Sequence, residues 1–313
     1  MNIDQLKTFV IAADELNFTR AAEILHLTQP AVSQQIKELE NFFGVPLFER
    51  RGRQVQLSVG GERLRPYARH ILSQVDEARS LLSELGGRTY GKLLVGSGNT
   101  VGIYLLPQLL GDFQREYPDV VISLKVAETS EVVEMLSHGE LDLALLEESP
   151  NESRLRHLTR VPFLRDELVL VAPPAKLAVS GQNPGATISV DELYDLPIIM
   201  RQPTSRTRQL IWSRMSDAGV DIERLRVTLE FGNTEAIKQA AMAGLGCGWI
   251  STLAVRKELA SGLLRVVNVE GLSIQRQLWL VVQQTRYLPE RVKRFQAFLL
   301  ERAEGLQSAV ALG

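Results

Sequence analysis

The sequence is poor in the residues that metal sites and disulfide scaffolds require. One cysteine, Cys247, stands in 313 residues, which excludes an internal disulfide and any cysteine-rich zinc site. The four histidines, His26, His70, His138 and His157, are scattered without metal-ligand spacing, so no metal and no metal cofactor is expected. Apolar runs stop short of the roughly 18 residues that a membrane-spanning helix needs. The opening MNIDQLKTFVIAADELNF carries acids among its apolar residues and no basic stretch before a cleavage site, so it does not read as a signal peptide. These absences point to a cytoplasmic protein without membrane contact. No Ser-His-Asp order, Gly-x-Ser-x-Gly elbow or paired carboxylates stand out, and no catalytic residues are expected.

An excess of one charge is also missing. The net charge is −2, so only its distribution can hint at a polyanionic partner. Residues 17–69 hold eight Arg or Lys against five acids, a surplus of three, whereas from residue 91 onward 24 basic residues face 26 acidic ones. At 45% hydrophobic and 23% charged the composition is that of a globular protein, and its length suits two or three domains.

What is present begins with three short helices in the first 43 residues. Leu6, Phe9, Val10 and Ala13 recur at helical spacing over about 3–16. Asn17-Phe18-Thr19 supplies a stop and a new cap, and Ala21, Ala22 and Leu25 mark a second helix near 19–25. Thr28-Gln29-Pro30 places a cap residue before a proline at the first helical turn, and Gly44 ends the third helix. Ala31, Val32, Ile36, Leu39 and Phe43 form its inward stripe, while Ser33, Gln34 and Lys37 point elsewhere. A short helix, a turn and a second helix with a polar tip is the geometry of a major-groove reader.

Residues 45–57 read as two short strands around a basic turn, a wing able to lay arginines on phosphates. From Val59 to Leu85 one long helix is expected. Leu64, Ala68, Ile71, Val75, Ala78, Leu82 and Leu85 repeat at alternating four and three, the pattern of a dimerisation seam; the alternative is an amphipathic helix packed on its own domain. Pro66 is placed to bend it. Gly86-Gly87 closes the helix and opens a hinge. Beyond residue 91 strand and helix signals alternate, which argues for α/β layering, and the number of strands suits two sheets better than one.

The stretch from Phe18-Thr19-Arg20-Ala21-Ala22 to Leu27-Thr28-Gln29-Pro30-Ala31-Val32-Ser33 closely resembles the LysR-type helix-turn-helix. So do Ile36-Lys37-Glu38-Leu39-Glu40, Gly44-Val45-Pro46-Leu47-Phe48-Glu49-Arg50 and Gly60-Gly61-Glu62, without a gap. Leu105-Leu106-Pro107, Tyr117-Pro118, Gly139-Glu140-Leu141-Asp142 and Ala243-Gly244-Leu245-Gly246 resemble the sensor domain of the same family more loosely. The resemblance implies an α+β chain: a winged helix-turn-helix over 1–58, a linker and dimerisation helix over 59–87, and an effector-binding domain over 91–303. That domain would have two Rossmann-like subdomains like those of periplasmic solute-binding proteins, 91–163 plus 269–303 and 164–268, with a small-molecule co-inducer between them. It further implies a homodimer through the long helix, a homotetramer, an imperfect inverted repeat as the double-stranded DNA target, contact with RNA polymerase, and a nucleoid-associated place in the cytoplasm.

For DNA, Gln29, Pro30, Ala31, Ser33, Gln34 and Lys37 are the expected readers: Gln pairs with adenine, and the Pro and Ala carbons suit a thymine methyl. Thr19, Arg20, Thr28, Arg50 and Arg53 are expected on phosphates, with Thr19 and Thr28 alternatively serving only as helix caps. For the effector, the loop Gly96-Ser97-Gly98-Asn99-Thr100 enters a helix with hydroxyls, an amide and backbone N–H groups suited to a carboxylate, phosphate or sulfate. Ser97, Asn99 and Thr100 are joined by position with Thr129, Glu147, Arg201, Thr204, Ser205 and Asn233. Arg201 is the natural counter-charge for an anion; Glu147 instead selects an amine or hydroxyl, or holds Arg201 when the cleft is empty. Cys247, Trp249 and Trp279 read as core residues.

The loops at 99–102 and 232–239 resemble family branches that control sulfur assimilation or carbon fixation. The competing functions are a solute-binding protein, or an enzyme of the same sensor fold, with an accessory DNA-binding domain. The long DNA-binding prefix argues against both.

Overall fold

The computed structural model describes residues 1–51, 54–84, 91–147, 158–174, 187–284 and 288–311. Helix α1 (Ile3–Glu15) starts at Asn2, which accepts from the amide of Gln5 at 2.8 Å while the Gln5 side chain accepts from that of Asn2. Helix α2 (Phe18–Leu25) is capped by Asn17, and α3 (Gln29–Phe43) by Thr28, with Gly44 in the left-handed conformation at its end. The apolar faces of the three helices meet in one core of Leu6, Phe9, Ala12, Ala22, Val32, Ile36 and Leu39, closed by Leu47 and an edge-on contact of Phe9 and Phe18 with Phe48. Each large side chain fully buried there contributes about 1.5–3 kcal/mol.

Strands β1 (Phe48–Arg51) and β2 (Gln54–Leu57) pair antiparallel to form the wing. Helix α4 (Val59–Glu84) is uninterrupted at Pro66. Its first half belongs to the head: Leu64, Ala68 and Leu72 join the same core against α1, so the seam positions Leu64 and Ala68 are spent within the chain. Ile71 and Leu82 are exposed, and Leu85 lies outside the described residues.

The sensor is built on one continuous sheet of ten strands among the described residues, where two separate sheets were expected. Strands β3 (Gly91–Ser97), β4 (Val120–Val126) and β5 (Leu143–Leu146) run parallel in one half, and β8 (Ile198–Arg201), β9 (Val227–Phe231) and β10 (Cys247–Ser251) in the other. Two long antiparallel strands join the halves, β6 (Leu158–Ala172) and β12 (Ile274–Gln283). Fifteen residues of strand reach about 50 Å, enough to cross both halves. Their register slips between Leu278 and Trp279, opposite Pro162, which has no N–H to give to the ladder. Strands β7 (Thr187–Ile188) and β11 (Arg265–Val269) complete the sheet.

Helices cover both faces of each half. On the first half lie α5 (Asn99–Tyr104), α6 (Leu106–Glu116), α7 (Thr129–Ser137) and the final helix α12 (Glu290–Ala311). On the second lie α8 (Val190–Asp195), α9 (Arg206–Asp217), α10 (Thr234–Met242) and α11 (Thr252–Ala260). The helical stretch between β3 and β4 is two helices, broken at Leu105, because Pro107 opens the second. Cys247 and Trp249 lie in the core, whereas Trp279 is half-buried with Arg160 stacked on it.

Candidate DNA-reading and effector sites

On the head, one face carries the polar tip of α3. Gln29, Pro30, Gln34 and Lys37 are exposed, and Ala31 and Ser33 are half-buried beside them. Gln29 Nε2 donates to Ser33 Oγ at 2.8 Å, and Gln34 Nε2 to Glu38 Oε1 at 2.8 Å, so each amide is held to a side chain one turn further along the helix. The helix is fixed from behind. Gln5 Nε2 donates to Glu38 Oε2 and the Thr8 hydroxyl to Gln35, while Val32, Ile36 and Leu39 are buried.

Thr28 accepts from the amide of Ala31 at 3.4 Å and is a helix cap as well as an exposed hydroxyl. Thr19 is not a cap: Asn17 Oδ1 accepts from the amides of Thr19 and Arg20, which leaves the exposed Thr19 hydroxyl free of that duty. Arg20 pairs with Glu23 at 2.8 Å. Arg50 stands in β1, and Arg53 lies outside the described residues.

In the sensor, the loop after β3 and the end of β8 face each other across the halves. A cavity of about 30 Å³ lies between them, bordered by Asn99, Thr100, Thr129, Glu147, Arg201 and Ser205. Glu128, Arg206 and Thr207, which sequence reasoning did not single out, border it too. Glu147 does not hold Arg201. Its Oε1 accepts from the amides of Thr100 at 2.7 Å and Val101 at 3.1 Å, so a carboxylate of the chain itself takes the donors that were expected to meet a ligand. Gly98 is required there, since a Cβ would fall 1.6 Å from Glu147 Oε2.

Arg201 is nine-tenths buried, yet its partners are distant. Glu128 Oε1 lies 3.7 Å from Nη2, Thr234 Oγ1 accepts from Nη1 at 3.5 Å, and Nε has no hydrogen-bond partner. Burial pushes this guanidinium below its ordinary value, against the pull of Glu128 and Glu147 and with the repulsion of Arg276.

Three expected residues are not in the cavity wall. Ser97 is fully buried and donates to the carbonyl of Leu145 at 3.1 Å; Thr204 is exposed; Asn233 caps α10 by accepting from Ala236. The neighbouring Thr234 reaches Arg201 instead. Further along the cleft a second cavity of about 360 Å³ shares Glu147 and Arg206 with the first and is bordered by Arg214, Arg276, Gln277 and Trp279. Among the described residues no helix is long and apolar enough to cross a membrane, and no group of three metal-ligating side chains occurs.

A winged head with an exposed reading helix, carried on a long helix and joined to a two-part hinged sensor, defines a ligand-responsive DNA-binding regulator. Residues 3–62 match the family model for the bacterial regulatory helix-turn-helix protein of the lysR family, and residues 86–304 the LysR substrate binding domain. The chain belongs to the LysR family of transcriptional regulators. It is 36% identical over 299 residues to a probable RuBisCO transcriptional regulator from Trichormus variabilis, covering 95% of this chain and 87% of that protein. The fold is that of a full-length OxyR from Pseudomonas aeruginosa, with TM-score 0.72, 23% identity and coverage of 97% and 95% of the two chains. Full-length CbnR bound to its target DNA gives TM-score 0.69, 21% identity and coverage of 97% and 100%. The protein is a DNA-binding regulator, not an enzyme.

Proposed function

We propose that this regulator reads its operator through Gln29, Pro30, Ala31, Ser33, Gln34 and Lys37, with Thr19, Arg20, Thr28, Arg50 and Arg53 on phosphates, and answers to a small anionic effector. The observation that carries the effector reading is Arg201, a buried guanidinium with no close partner beside Thr100 and Ser205. Such a charge at a cleft between hinged halves is a functional-site candidate on physical grounds. Ligand entry requires the halves to separate, because the space at Arg201 holds little more than one water-sized group. We divide the sensor at the crossing strands, 91–163 with 269–303 and 164–268, and assign dimerisation to the exposed part of the 59–87 helix, with a tetramer, RNA polymerase contact and a cytoplasmic, nucleoid-associated place following from the role.

Of the two nutrient classes that the loop sequences suggested, carbon fixation is favoured, since relatives named as probable RuBisCO transcriptional regulators align along nearly the whole chain. The test is footprinting at the promoter of a RuBisCO operon from the source genome, with and without small anions. An inverted repeat should be protected, Gln34→Ala should cost about 1–3 kcal/mol at one base position and not at others, and Arg201→Ala should remove the anion response while operator affinity stays. Protection that ignores sequence, or an anion response intact in Arg201→Ala, defeats the corresponding half of the proposal.

A further inference from the structure

We infer that the effector carries two acidic groups, one held at Arg201 and the other at Arg276, which makes Arg276 a specificity-determining residue of the same cleft. The inference rests on the cleft reading above and extends it. Arg276 lies on β12 with its side chain 3% exposed, and its Nε donates to Asp166 Oδ2 at 2.7 Å. Asp166, on the adjacent β6, is fully buried and also accepts from the Ser251 hydroxyl at 2.7 Å, so one edge of the guanidinium is clamped. The side chain borders the second cavity. Nη1 reaches Thr207 Oγ1 at 3.4 Å, and Nη2, buried, has no partner.

Two buried guanidiniums bordering one cleft therefore each hold an unsatisfied N–H, Arg201 at Nε and Arg276 at Nη2. A charged donor left unpaired in a low-dielectric site is costly, and a carboxylate or phosphate satisfies it best. Thr207 connects the two, bordering the cavity at Arg201 and touching Arg276. Size separates the two acid positions. The space at Arg201 is about 30 Å³, while the cavity bordered by Arg276 is about 360 Å³, enough for the body of a small molecule and its second acid. The α5 amides cannot substitute as the second position, because Glu147 already occupies them.

The experiment is calorimetric titration of the full-length protein with matched probe series. One series is straight-chain dicarboxylates and alkane bisphosphates of two to six carbons; the other is the monocarboxylates and monophosphates of equal length. At least one two-headed probe should bind ten-fold or more tightly than its one-headed match. Arg276→Gln should erase that difference and leave the one-headed affinity in place, Arg276→Lys should keep part of it, and Arg201→Gln should weaken both series. Arg276→Gln strands the Asp166 carboxylate, so the double variant Asp166→Asn/Arg276→Gln repeats the measurement in a neutral pair, with operator binding as the check on folding. Equal binding of the two series, unaltered at Arg276 but lost in Arg201→Gln, overturns the two-headed effector and leaves the cleft reading standing. Binding by neither series overturns both.

Discussion

Glu147 accepts from the amides of Thr100 and Val101 from a position that leaves no room for a side chain on Gly98. Gly98→Ala should therefore expel the carboxylate, leave two buried amides unpaired and cost about 2–3 kcal/mol, read as a lowered melting temperature. Gly111→Ala, in a helix with open space around it, is the control and should be neutral or slightly stabilising. Arg201, Ser205 and Thr100 were legible because polar groups at strand ends and helix starts are where α/β clefts form. Arg276 was not, although it had a signal. In β12 the inward positions run Ile274, Arg276, Leu278, Leu280, and in β6 Leu164, Asp166, Leu168, Leu170, so each strand sets one charge in an apolar register. Opposite charges placed that way announce a buried pair; only the pairing of two strands a hundred residues apart in sequence brings them together.

Among the elements, α4 is head core at its beginning, and the dimer seam proposed above falls on the remainder of the same helix. Its beginning is head core, with Gly61 packed so closely that a Cβ would lie 2.1 Å from the Leu47 carbonyl oxygen, while Leu82 near its end is 71% exposed. Heptad spacing continues through both stretches, so periodicity alone could not separate them. Leu82→Glu should leave the head folded, shift sedimentation towards monomer and weaken operator binding, because each head alone meets only half a site. An unchanged sedimentation profile would put the dimer seam elsewhere. Arg69, between the core positions Ala68 and Leu72, pairs with Asp14 of α1 and with Glu140 of the sensor, tying head orientation to the first half of the sensor.

For the molecule as a whole, the two sensor halves are joined by β6 and β12 and also meet through side chains around Tyr104. The Tyr104 hydroxyl on α5 donates to Glu235 on α10, and Lys238 pairs with Glu235 and Glu258 at 3.0 Å each while lying over the Tyr104 ring. Burial pushes the Glu235 carboxyl up, but hydrogen bonds from Tyr104, Gln239 and Lys238 outweigh it and hold it below its ordinary value. A carboxyl depressed in the folded state adds stability above its unfolded value, and that stability is lost as pH falls through the folded value. Glu235→Gln should thus lower the melting temperature at neutral pH, with the gap from the parent closing below about pH 4. A gap independent of pH would assign the effect to packing.

With the start of α4 fused into the head core and Leu82 exposed near its far end, the dimer proposed above would make the helix a shaft that sets rotational phase. One residue inserted beyond Leu72 would turn each head by about 100° relative to the seam, while seven would return it within about 20° of its original bearing and move it outward by about 10 Å. Operator recognition should fail for the first and recover for the second only on half-sites spaced further apart. In that dimer the distance between the two halves of the operator would be written in the length of one helix.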